Sequence, residues 1–239
     1  MNENHGLIDR RRFLNLTGTS GIALVAAVTG SAFWSMQPKR ASADQIESLE
    51  PDAALKRLID GNQRFVRQKG KHPDQSKARI KEVSRSQHPF AVLLCCADSR
   101  VPPEILFDEG IGDLFDIRVA GNIVTNEVLG SIEYAVDLLN TPLIMVLGHE
   151  RCGAVTAAVQ GERLPGHIGS FVKAIKPVIS KTKGESLDDA VDKAVIANVQ
   201  YQIQKLKQNS KIISQRLLEG KLKIVGGRYD LDTGEVGLV

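Results

Sequence analysis

Residues 89–96 read PFAVLLCC, an apolar run that a proline opens and that Ala97, Asp98, Ser99 and Arg100 close. An apolar run without alternation predicts a strand buried on both faces, which is how strands of a helix-covered parallel sheet read. The same signature recurs at 142–149, PLIMVLGH, and more weakly at 114–122, LFDIRVAGN, which ends in a Gly-Asn turn. Helical patterns separate the runs. In 125–139, TNEVLGSIEYAVDLL, residues Val128, Ile132, Ala135, Val136 and Leu139 share one face, with Thr125 placed to cap it and Glu127 in the first turn. Residues 152–160, 210–220 and most of 165–208 also read as helix, and 222–239 as strands around an Asp-Thr-Gly turn. Upstream, 48–68 carries Ala54, Leu55, Leu58, Ile59 and Phe65 at helical spacing, and 69–87 is a charged connector or short helix. Strands alternating with helices predict an α/β fold with a mainly parallel central sheet and helices on both faces.

The chain of 239 residues is 42% hydrophobic and 25% charged, a globular composition. Its net charge of +3 comes entirely from the start. Residues 1–43 hold five basic residues against two acidic ones, and the remainder is neutral. That balance gives no support to a nucleic-acid partner. The start has a layout of its own: DRRRFLNLTGTSGIALVAAVTGSAFW (9–34), a basic cluster before a weakly apolar run, and then Ala41-Ser42-Ala43 as a small-residue cleavage site. Arg10-Arg11 before Phe13-Leu14, with the later Lys39-Arg40, resembles a twin-arginine export signal. The expectation is a signal peptide over 1–43 that engages the twin-arginine translocation machinery, and one folded domain over 44–239. Export would end in a periplasm, or in the thylakoid lumen of a photosynthetic cell. The alternative is a retained anchor, since Leu16–Trp34 nearly matches the ~20 residues that span a bilayer.

In open α/β sheets, ligands bind outside the carboxyl ends of the strands. The first strand ends at Cys96-Ala97-Asp98 and the third at Gly148-His149, so both sets of polar groups emerge on one side. All three cysteines of the chain, Cys95, Cys96 and Cys152, fall at these ends. His149 and Cys152 form an H-x-x-C pair between a strand end and a helix start. Two thiolates, an imidazole and an oxygen suit tetrahedral zinc. A disulfide framework fits poorly, because three cysteines cannot all pair and adjacent ones bridge only with strain. The remaining histidines, His5, His72, His88 and His167, stand in polar or turn contexts.

CADSRVPPEILFDEGIGDLFDIRVAGN (96–122), followed by GSIEYAVDLLNTPLIMVLGHERCGAV (130–155), resembles the β-class carbonic anhydrases. The similarity runs from about Gln87 to Val159 and returns in VGGRYDLDTGEV (225–236). The resemblance implies one zinc ion per subunit on Cys96, His149 and Cys152. Asp98 would be a fourth ligand in a closed form; in the open form Arg100 would hold it away from the metal. It implies reversible hydration of CO2 to bicarbonate, with zinc-bound hydroxide as nucleophile, oriented by Asp98 paired with Arg100. Gln87, Phe115, Tyr134 and Gly153 match the family's substrate pocket. The resemblance further implies one antiparallel edge strand and N-terminal helices packed on a partner. A homodimer or dimer of dimers would have its sites at the interface, so Gln87, Phe115 or Tyr134 could act across it. Two other readings share the motif: a hydrolase of CS2 or COS on the same scaffold, and an exported zinc protein without turnover.

Strand alternation separates the adjacent cysteines. If Cys96 faces the metal, Cys95 points into packing on the other side.

Overall fold

A computed structural model of the protein describes residues 49–161, 164–179 and 186–239. The expected signal segment, 1–43, lies outside the described residues. Among those described, no helix is long and apolar enough to cross a membrane.

Helix α1 (Pro51–Val66) starts with proline in its first turn, where a missing N–H costs nothing. The charged connector forms a short helix, α2 (Lys77–Val83), that buries none of its residues. Strand β1 (Ala91–Cys95), the single turn α3 (Pro103–Leu106) and strand β2 (Leu114–Arg118) follow. A 3-10 turn over Ala120–Asn122 leads into α4 (Asn126–Leu138), whose first turn Thr125 caps by accepting the Val128 N–H. Strand β3 (Leu143–His149) then precedes α5 (Gly153–Gln160), α6 (Gly169–Ile175) and the long α7 (Leu187–Asn209). Helix α8 (Lys211–Leu218) and strands β4 (Lys223–Tyr229) and β5 (Val236–Leu238) complete the order. Ser210 ends α7 and caps α8, accepting the Ile213 N–H, so one residue makes the corner.

The sheet order is β2-β1-β3-β4-β5. The first four strands are parallel and β5 runs antiparallel to β4. This is the expected mainly parallel sheet with one antiparallel edge. Alternate residues feed two cores. Ala91, Leu93, Cys95, Leu143, Met145 and Leu147 pack with Ala54 and Leu58 of α1 on one face. On the other, Val92, Leu94, Ile144 and Val146 meet Val128, Ile132 and Val136 of α4, Val199 and Leu206 of α7, and Ile213 of α8. Helix α1 thus buries its apolar stripe on its own subunit's sheet.

A third apolar cluster sits beyond the carboxyl ends of the strands, and Cys96 and Cys152 belong to it. The register brings the key residues level. Cys95 pairs with Leu147, which puts Cys96 beside Gly148 and one residue short of His149. Gly148 lets α7 lie close against β3 there: a Cβ would come within 2.8 Å of both Val195 Cγ1 and Val199 Cγ2.

Candidate metal centre

Each of three elements delivers one side chain to the carboxyl end of the sheet. Cys96 follows β1, His149 ends β3, and Cys152 stands at the N-cap of α5. Their ligand atoms all lie within 4.8 Å of one another. All three are buried, His149 completely. His149 Nδ1 lies 2.8 Å from the Glu150 carbonyl oxygen. A carbonyl only accepts, so Nδ1 carries the proton and the lone pair is on Nε2. Nε2 is buried with no hydrogen-bond partner. A buried acceptor is rarely left alone, and an orphan aimed at two sulfurs fits a cation. Two sulfurs and one imidazole are a zinc donor set, so the residues present fit that metal.

The sulfurs are prepared for charge. The Cys96 thiol is held down first by its contact with Cys152, against burial, with the backbone N–H groups of Gly121 and Asp98 helping. Cys152 is pushed up in turn by its bond to Cys96 and by burial, although the Ala154 and Val155 N–H groups at the start of α5 oppose this. Cys96 is thus the readier thiolate, and a cation held by the cluster would displace the proton of Cys152.

Asp98 and Arg100 form a tight pair at the mouth. Arg100 donates from Nε (2.9 Å) and from its backbone N–H (2.9 Å) to Asp98 Oδ1, and from a terminal nitrogen to Oδ2 (2.8 Å). These bonds hold the Asp98 carboxyl well below the usual carboxylate range. Asp98 Oδ2 stands 3.9 Å from His149 Nε2, beside the three-residue cluster and outside it. Arg118, at the end of β2, pins this turn by donating to the carbonyls of Cys96 (3.2 Å) and Asp98 (2.6 Å).

The pocket residues are placed differently. Gly153 opens α5 next to Cys152, and a Cβ there would meet nothing within 4 Å. Gln87 is exposed on the loop before β1, at the other end of that strand from Cys96. Phe115 pairs with Val92, four residues before Cys96, or about 13 Å along the strand. Its ring faces Tyr134 of α4, with centroids 6.3 Å apart, and Tyr134 is exposed. Within one subunit, Gln87, Phe115 and Tyr134 are not brought to the cysteine–histidine cluster. His72, His88 and His167 are exposed.

The residues behind the cluster belong to no ligand motif in the sequence. Gly121 donates its N–H to Cys96 Sγ at 3.4 Å. It sits at φ +71°, and a Cβ there would come within 2.6 Å of Ile175 Cδ1, so only glycine fits. Asn198 of α7 grips the Gly121 carbonyl. Arg118, Asn198 and Gln202 had only a faint signal: an arginine at a strand end, and two amides four residues apart on an apolar helix stripe.

The sequence profile of the family described as carbonic anhydrase matches residues 91–236. Carbonic anhydrase 2 of Mycobacterium tuberculosis is 43% identical over 192 residues, covering 79% of this chain and 92% of that protein. Among solved structures, a β-carbonic anhydrase of Coccomyxa in complex with acetazolamide aligns with a TM-score of 0.62 at 31% identity, over 77% of this chain and 86% of that one. A structure described as one of two tetrameric β-carbonic anhydrases from Sordaria macrospora aligns with a TM-score of 0.61 at 25% identity, over 67% of this chain and 85% of that one. With the zinc-type cluster of Cys96, His149 and Cys152 at its strand ends, the chain belongs to the carbonic anhydrase family, in its β class.

Proposed function

We infer that the protein catalyses the reversible hydration of CO2 to bicarbonate and a proton at a zinc site on Cys96, His149 and Cys152. The observation that carries this is the convergence of those three buried donors beside the Asp98–Arg100 pair. When bound, zinc supplies a Lewis acid strong enough to make water a nucleophile near neutral pH. The protein's own groups do the rest. Asp98 Oδ2 is an acceptor at the mouth, and it orients the attacking water by taking its hydrogen bond. Arg100 keeps that carboxylate charged and fixes its angle. Because Arg100 engages both Asp98 oxygens, it would hold that carboxylate back from a metal on the three ligands. Gly153 keeps the approach beside Cys152 free of a side chain.

Stopped-flow CO2 hydration by the zinc-loaded protein tests this reading. The wild type accelerates hydration, and Asp98→Ala loses at least about 100-fold. A zinc-loaded wild type that leaves the uncatalysed rate unchanged refutes it.

The working unit in this reading is a homodimer, or two dimers joined. The free edge of β2, the exposed Ile111 and Tyr134 beside it, and the unburied helix α2 with Ile80 support this assembly. Gln87, Phe115 and Tyr134 would then serve a partner's site, and the faces of the N-terminal helices that the subunit's own core leaves exposed would pack across the interface. Residues 1–43 would direct export through the twin-arginine machinery and be cleaved after Ala43. The destination is a periplasm, or a thylakoid lumen in a photosynthetic cell. The Arg10-Arg11 pair, the weakly apolar run and Ala41-Ser42-Ala43 support export. An exported protein whose mass still includes Met1 refutes cleavage.

A further inference from the structure

Two amide side chains lie wholly buried on α7, among Val191, Val195, Val199 and Leu206. Burying a carboxamide is unfavourable unless every polar atom finds a partner, so two of them on an apolar stripe call for a reason. Their hydrogen bonds run in one direction. The Val124 N–H donates to Gln202 Oε1 at 2.8 Å. That fixes the Gln202 amide, whose Nε2 then donates to Asn198 Oδ1 at 2.9 Å. Asn198 Nδ2 in turn donates to the Gly121 carbonyl at 2.9 Å. Turning either amide over would set like atoms against each other at two contacts, so the polarity of the whole chain is determined. Lys205, one turn further on, donates to the Val124 carbonyl at 2.6 Å.

Three of these four bonds end on the segment Gly121–Val124, and Gly121 donates its N–H to Cys96 Sγ. The segment needs holding. Gly121 is at φ +71° and Asn122 at φ +44°, two consecutive left-handed residues. We propose that Asn198 and Gln202 are positioning residues for the metal centre: they clamp the Gly121–Val124 turn so that the Gly121 N–H is aimed at the Cys96 sulfur. The inference rests on the zinc reading of the cluster. It adds that α7, which supplies no ligand, sets the orientation and electron donation of one that does. An N–H donor withdraws charge from a thiolate and fixes its lone pairs. Removing such outer partners typically weakens metal binding by 10- to 100-fold.

The test uses the whole protein loaded with zinc or with cobalt. Asn198→Leu keeps the branched shape and replaces the amide oxygen and nitrogen with methyl groups. The expected result is zinc affinity lower by roughly tenfold or more in chelator competition. The thiolate-to-cobalt charge-transfer band also shifts to longer wavelength, because the sulfur donates more readily. Leu206→Ala, on the same helix and equally buried, is the structural control: it destabilises the fold and leaves affinity and band unchanged. A wild-type band and affinity in Asn198→Leu, or equal changes in Leu206→Ala, overturn the proposal. Should Asn198→Leu not fold, the wild type answers instead. With 113Cd in the site, the Gly121 amide proton shows scalar coupling to the metal through the sulfur, and no coupling overturns the proposal. A wild type that binds neither zinc nor cobalt refutes the zinc reading itself, a separate outcome.

Discussion

Cys95 and Cys96 are neighbours in sequence with separate chemistry. Cys95 is fully buried beneath the sheet with Leu93, Met145 and Leu147, and burial first, then Asp116, pushes its thiol up to about 12. It stays a protonated core residue. Cys95→Ala therefore keeps a full complement of zinc and costs about 1 kcal/mol of stability, whereas Cys96→Ala binds none. Metal analysis of the purified variants, with denaturant melts, checks this. Asp116 itself escapes a sequence reading, since an aspartate in a half-buried edge strand looks like surface. Its Oδ1 is buried without a partner, and burial, then Glu104 beside it, raises its carboxyl to about 8. A carboxyl whose pKa is higher folded than unfolded opposes folding increasingly as pH climbs from about 4 to 8. Asp116→Asn removes that penalty. Its gain in stability at pH 8 exceeds its gain at pH 5 by about 1.4 kcal/mol or more, the worth of one pKa unit. Equal gains at both pH values would remove the assignment. The zinc ligands were legible because cysteine and histidine at strand ends are rare and chemically pointed. Asn198 and Gln202 were not, because an amide in a helix carries no mark of whether it faces water or a buried turn.

Elements were legible where a single period ruled. The apolar runs at 89–96 and 142–149 could only be central strands, and Thr125 caps the helix that its position announces. What the pattern could not reveal is which element touches which, because close approach depends on side chains that are missing. Gly148 is the case in point. It is the last strand residue before the histidine ligand, and α7 packs directly over it. Gly148→Ala pushes a methyl to within 2.8 Å of Val195 and Val199, so helix and strand must separate. Overpacking of this kind costs typically 1–3 kcal/mol. The displacement falls on His149, so this variant also loses zinc affinity. Thermal melts and chelator competition measure the two effects, and a stability loss without any change in zinc binding would detach the α7–β3 contact from the site. Asn62 plays a comparable part for α1. Fully engaged below the sheet, it donates to the carbonyls of Leu106 and Gly234 and accepts the Val236 N–H. An ion pair between Arg57 and Glu109 and another between Arg64 and Asp108 tie the same helix to the loop after α3.

At the scale of the whole molecule, one subunit divides the expected site in two. Cys96, His149, Cys152, Asp98 and Arg100 meet at the carboxyl ends of the strands. Gln87 lies before β1 at the opposite end, and Phe115 and Tyr134 line the free-edge side of β2. A sequence orders residues along one chain, so it could assign all of them to one pocket without showing that a single chain keeps Gln87, Phe115 and Tyr134 away from the cluster. In the dimer proposed above, each free edge would face its copy, and each site would borrow what the other subunit carries. This yields a test by complementation. Cys96→Ala subunits lack zinc and retain Gln87, whereas Gln87→Ala subunits hold zinc and lack the glutamine. Alone, each assembly is impaired. Mixed under conditions that exchange subunits, half the dimers are hybrids, and each hybrid has one site with a native zinc cluster and a partner's glutamine. Activity then rises to about a quarter of wild type per subunit. If Gln87 acts only on its own chain's zinc, hybrids contain no complete site and mixing adds nothing. The hybrid experiment therefore reads the direction of the contribution, because recovery requires both defects to fall in one pocket of the dimer and leave the other whole.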